Sequence, residues 1–62
     1  MFAIGTEVHF FVDNQVLSLL VAGFNEEDNT YLLSKKLPNR YGYPVAKHLV
    51  FSSIPELSAY YN

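Results

Sequence analysis

The chain has 62 residues, a formal net charge of −2, a hydrophobic fraction of 50% and no cysteine. The missing cysteine excludes a disulfide framework and any thiolate metal centre. The longest apolar run, residues 16–24, is broken by Ser18 and Gly23 and falls far short of the ~20 residues that cross a bilayer as a helix.

One domain, residues 1–62, accounts for this length. Such a short chain buries only roughly 60% of its unfolded surface. With neither disulfide nor metal to help, association with a second copy or another protein is the remaining source of stability. The first five residues, Met1-Phe2-Ala3-Ile4-Gly5, carry no basic leader and no apolar segment before a small-residue cleavage site, so a cytoplasmic protein is expected.

Val8, Phe10 and Val12 recur at period two in residues 7–12, which predicts a first strand. It runs into Asp13-Asn14, a pair that tolerates positive φ and so predicts a tight turn into a second strand over residues 15–24. Gly23, near the end of that long strand, predicts a bulge or bend where a sheet curls. The polar cluster 25–29 forms the next turn, and Tyr31 and Leu33 mark a third strand ending near Ser34.

Residues 37–44 break the pattern. Pro38, Gly42 and Pro44 stand among Asn39, Arg40, Tyr41 and Tyr43, which predicts an irregular loop. A fourth strand is expected over residues 45–52, with Leu49 and Phe51 on one face and His48 and Val50 on the other. Ser53 and Glu56 have capping-box spacing and Pro55 suits a first turn. A short helix over residues 54–60 follows, with Ile54, Leu57 and Tyr61 spaced to plug one end of a barrel.

Gly5, Val8 and Phe10 match a Gly-x-x-Val-x-Phe opening, and Val50, Phe51, Ser53, Glu56 and Leu57 match a Val-Phe-x-Ser-x-x-Glu-Leu close. In these residues and in the order of its strands, the chain resembles a group of small bacterial and phage-associated SH3-like domains. The resemblance covers nearly the whole chain. It implies a mostly β fold, a small SH3-like barrel of four to five antiparallel strands with a short C-terminal helix. Its motifs serve strand entry, barrel closure and helix capping, and imply no shared activity. The chain departs from the pattern at Leu17, Leu19 and Leu20, where such domains often carry glycine or a polar residue. With Val16 and Val21, and with Phe10 beside Phe11, these load both faces of the first hairpin. Something must cover the second face: the barrel and terminal helix of the same chain, or a homodimer partner.

No catalytic constellation is legible. Ser18, Ser34, Ser52 and Ser53 lack the surroundings of an activated nucleophile. His9 and His48 have no third ligand at metal-binding spacing, and the acidic turn Glu26-Glu27-Asp28 lacks the alternating ligands of a calcium loop. A barrel this small fills its interior with side chains. No enzyme activity, metal or cofactor is therefore expected.

The charges are divided along the chain: five of the six carboxylates precede residue 30, and Lys35, Lys36, Arg40 and Lys47 all follow it. Arg40, Tyr41, Tyr43 and Pro44 have the composition of a protein-binding loop, since tyrosine and arginine are favoured anchors and aromatic grooves receive extended peptides. The alternative use is nucleic acid, with Lys35, Lys36, Arg40 and Lys47 on phosphates and a tyrosine stacking on bases. The acidic balance of the chain and its few cations favour protein. A third reading has the tyrosines only packing over an open barrel end with their hydroxyls wet.

Overall fold

The structure is a computed structural model that describes residues 1–38 and 42–62. It is mostly β: four antiparallel strands in one curled, half-barrel sheet, followed by a short C-terminal helix. The strands β1 (Glu7–Val12), β2 (Gln15–Asn25), β3 (Thr30–Ser34) and β4 (Tyr43–Ala46) lie in the order β1-β2-β3-β4. A 3-10 turn (Lys47–Leu49) and the helix α1 (Ile54–Tyr61) complete the chain.

Each hairpin follows from local chemistry. Asp13 and Asn14 hold φ of 50° and 61°, the two positive values that a two-residue hairpin turn needs to match the strand twist. Val12 therefore pairs with Gln15, which puts Phe10 opposite Leu17 and Val8 opposite Leu19. Across the β2–β3 ladder the register shifts between Val21 and Gly23, leaving Ala22 as the extra residue of the expected bulge. Before the bulge, Leu17, Leu19 and Val21 face inward. Beyond it the parity changes, and Phe24, opposite Tyr31, turns inward.

The core is the cluster Val8, Phe10, Val21, Tyr31, Leu33, Val45 and Val50. Tyr31 sits at its centre, with its ring 5.5 Å from that of Phe2 and 4.9 Å from that of Phe24. Its hydroxyl accepts a hydrogen bond from the Phe2 N–H at 3.0 Å. The N-terminal arm turns at Gly5, whose φ of +94° suits glycine, and packs Phe2 against this core. Leu57 of α1 is buried but lies outside the core cluster, while α1 packs on β1. Phe2 packs against the core as a partly buried residue, and Leu57 is the buried residue of α1. Ile54, expected on the packed face of α1, is exposed.

The fourth strand differs from expectation. It begins earlier, taking in Tyr43 and Pro44, and stops at Ala46, where Lys47–Leu49 coil into the 3-10 turn and His48 leaves the sheet. Only Phe51 returns to extended pairing, exchanging both backbone bonds with His9 at 2.8 and 2.9 Å. That single bridge binds the free edge of β1 and turns Val50 inward while Phe51 stays on the outer side with His9. The helix cap is as the spacing predicts: Ser53 Oγ accepts from the Glu56 N–H at 3.3 Å. The Glu56 carboxylate accepts from the hydroxyls of Ser52, at 2.7 Å, and Ser53, at 3.3 Å.

Gly42 shows why a glycine precedes Tyr43. A Cβ there would stand 2.8 Å from Leu32 Cβ and about 3 Å from the β3 backbone. Gly42→Ala is expected to push β4 off β3 and destabilise the fold by about 1–3 kcal/mol, read as a lower urea midpoint. Gly23→Ala, whose Cβ would meet only Leu32 Cδ1 at 3.6 Å, provides the comparison and should not meet this steric penalty.

Candidate functional site

The half-barrel leaves its inner surface open at one side as a groove of about 760 Å³. Its floor is apolar, formed by the partly buried Val12, Leu17 and Leu19 with the buried core residues Phe10 and Leu33 beneath, and Tyr43 contributes an aromatic wall. The ring of Tyr43 stacks on that of Phe10 with centroids 5.7 Å apart and planes at 26°, yet the residue stays 52% exposed. Polar residues mark the rim: Asp13 and Gln15 at the tip of the first hairpin, Lys35 and Lys36 just after β3.

The backbone of Lys36 is tied to Ser34. Ser34, buried at the end of β3, donates its hydroxyl to the Lys36 carbonyl at 2.9 Å and accepts from the Lys36 N–H at 3.4 Å. This local turn places Lys35 and Lys36 beside Leu33 and Tyr43. Neither lysine is paired with a carboxylate among the described residues.

Of the residues singled out in the sequence, the structure brings Lys35, Lys36 and Tyr43 together on this groove. It does not bring Pro44 or Lys47 to it. Pro44 alternates with Tyr43 and Val45, so its ring projects from the other side of β4, and Lys47 belongs to the 3-10 turn, where its N–H donates to the Asn29 carbonyl at 2.8 Å. Arg40 and Tyr41 lie outside the described residues. His9 Nδ1 and Ser18 Oγ are hydrogen-bonded across β1 and β2 at 2.7 Å, whereas His48 is exposed on the 3-10 turn. No group of three or more metal-ligating side chains occurs among the described residues, and no helix there is long and apolar enough to cross a membrane.

A second feature lies on the outer face. Tyr61 packs its ring 5.0 Å from Phe11 and 6.3 Å from Phe51, and Tyr60 lies 5.3 Å from Phe51 and 5.0 Å from Tyr61. The chain's own helix thus covers part of the second apolar face of the first hairpin. Phe11 and its cross-strand neighbour Val16 nevertheless each keep 39% exposure. Adjacent tyrosines at the end of a predicted helix were the only sequence signal for this cluster, because its members meet only once Phe51 is bridged to β1.

The chain matches no protein-family model, no curated protein and no solved structure. Ser34→Ala removes the hydroxyl that holds the lysine turn and should cost about 1–2 kcal/mol. The expected signature is faster amide exchange at Lys36 together with a lowered urea midpoint.

Proposed function

We propose that this chain is a small interaction module without chemistry of its own, which receives an apolar segment of a protein partner in the half-barrel groove. The observation that carries this is the exposed, stacked Tyr43 standing over an unfilled apolar floor. A concave apolar site with a few polar rim groups is the usual form of a binding site, and a tyrosine offers contact area at small conformational cost. The SH3-like character suggested by the terminal motifs fits this use, since aromatic-lined grooves on such folds accept extended segments.

The groove can be tested by titrating the isotopically labelled chain with short uncharged peptides that differ only in a central Phe, Leu or Ser. Saturable shifts at Phe10, Leu17, Leu33 and Tyr43 are expected with Phe and Leu but not with Ser, and Tyr43→Ala should weaken binding by about fivefold or more. Shifts that are absent or spread over the outer face would reject the groove. Nucleic acid is the competing use of the same lysines. It would be supported instead by a single-stranded oligonucleotide that binds at low salt, weakens steeply as salt rises and maps to Lys35, Lys36 and Lys47.

Self-association is proposed through the outer face, where Phe11, Val16, Tyr60 and Tyr61 remain partly exposed. A two-fold dimer would bring this uncharged patch against its own copy without opposing like charges. Light scattering over a concentration series should show a dimer that Phe11→Lys converts to monomer. A monomeric mass up to about 100 μM, a concentration at which even a weak dimer of micromolar Kd is populated, would exclude it.

A further inference from the structure

Building on the groove as a protein-docking site, we propose that its partner is an extended acidic segment that combines one or two apolar or aromatic side chains with neighbouring carboxylates. The apolar part follows from the floor. Phe10 covers one face of the Tyr43 ring in a near-parallel stack, which leaves the opposite face to receive a side chain from outside.

The acidic part follows from the rim. Two of the chain's four cations, Lys35 and Lys36, line this one groove, held there by the Ser34 turn and without a carboxylate partner among the described residues. On a chain of net charge −2, two lysines together on one rim attract an acidic segment to this groove, so they select position as well as charge. Asp13, at the hairpin tip, carries the opposite sign on the same rim. The bound segment therefore has a direction, with its carboxylates toward the end of β3 and its uncharged residues toward the β1–β2 turn.

Recognition is by side chains rather than by strand addition. β4 is the edge of the sheet, and the Lys47 N–H bond to Asn29 fixes the alternation of that ladder. Val45 and Tyr43 direct their backbone groups at β3, while Pro44 and Ala46 direct theirs outward. Pro44 has no N–H to offer, so the edge is blunted against an added strand.

The test is selection from a displayed library of random peptides on the intact chain, with the same selection on the double variant Lys35→Glu/Lys36→Glu. Wild type should enrich sequences that combine Phe, Tyr, Leu or Ile with Asp or Glu. The double variant should enrich Lys or Arg in their place, and wild-type-selected peptides should bind it at least about tenfold more weakly. Circular dichroism confirms that the variant is folded, and Lys47→Glu, away from the groove, should leave binding unchanged. A pool rich in apolar residues but indifferent to charge, with binding lost in Tyr43→Ala, would overturn the acidic partner and leave the groove standing. No enrichment at all would overturn both. Salt-sensitive binding of an oligonucleotide in place of peptides would assign the lysines to nucleic acid.

Discussion

The bulge in β2 is the constraint on which the rest of the molecule depends. A strand of eleven residues with strict alternation would keep one parity inward along its whole length, and the sheet would stay open and shallow. The extra residue between Val21 and Gly23 reverses the parity, so Leu17, Leu19 and Val21 face the core on one side of it and Phe24 on the other. A bulge also strengthens local twist, which bends the second half of β2 toward β3 and β4 and brings Tyr31 between Phe2 and Phe24. The same curl sets β4 across from β1, so that Tyr43 reaches Phe10. Without that bend the groove would have a floor but no wall.

Closure of the sheet is completed with little material. One two-bond bridge, His9 to Phe51, does the work of a full fifth strand on the edge of β1. It places Val50 in the core and leaves Phe51 outside, where α1 stacks Tyr60 and Tyr61 over it. A chain of this length cannot bury a second layer completely, and the division of its apolar surface follows. Among the described residues the inner layer is closed around Tyr31 and Leu33, α1 buries Leu57, and apolar surface remains at the groove on one side and at the aromatic patch on the other.

Much of this was legible where the determining interaction is local. Asp13-Asn14 announced the first turn because both residues tolerate positive φ, Gly23 announced the bulge, and Ser53 with Glu56 announced the helix start. The fourth strand was not legible, because its limits depend on partners distant in sequence. Residues 45–52 are apolar enough to read as one strand, yet Lys47 is drawn to the Asn29 carbonyl and Phe51 to His9, and the intervening residues must coil to serve both. Pro44 looked like a loop residue, but its missing N–H is harmless on the outward edge of β4. Lys35, Lys36 and Tyr43 could be nominated from composition, whereas their convergence with Phe10 and Leu17 depends on the register of three ladders. Ile54 shows the opposite failure: helical spacing placed it on the packed face with Leu57, yet as the first residue of α1 it stays exposed.

The alternation of β1 and β2 also determines whether two partners can be served at once. Phe10 and Leu17 point to the groove side, Phe10 buried beneath Tyr43, and Phe11 and Val16, their immediate neighbours in the chain and in the ladder, point to the outer face. Two surfaces separated by the thickness of one sheet do not compete for side chains, so association through the outer patch would leave the inner groove unobstructed. A two-fold pair formed in that way would present two grooves in fixed relation, and a partner carrying two acidic segments would be held by both, its second contact made at the high effective concentration that linkage supplies. For a chain whose groove offers one aromatic wall and two lysines, such pairing would be the physical route from a weak contact to a durable one.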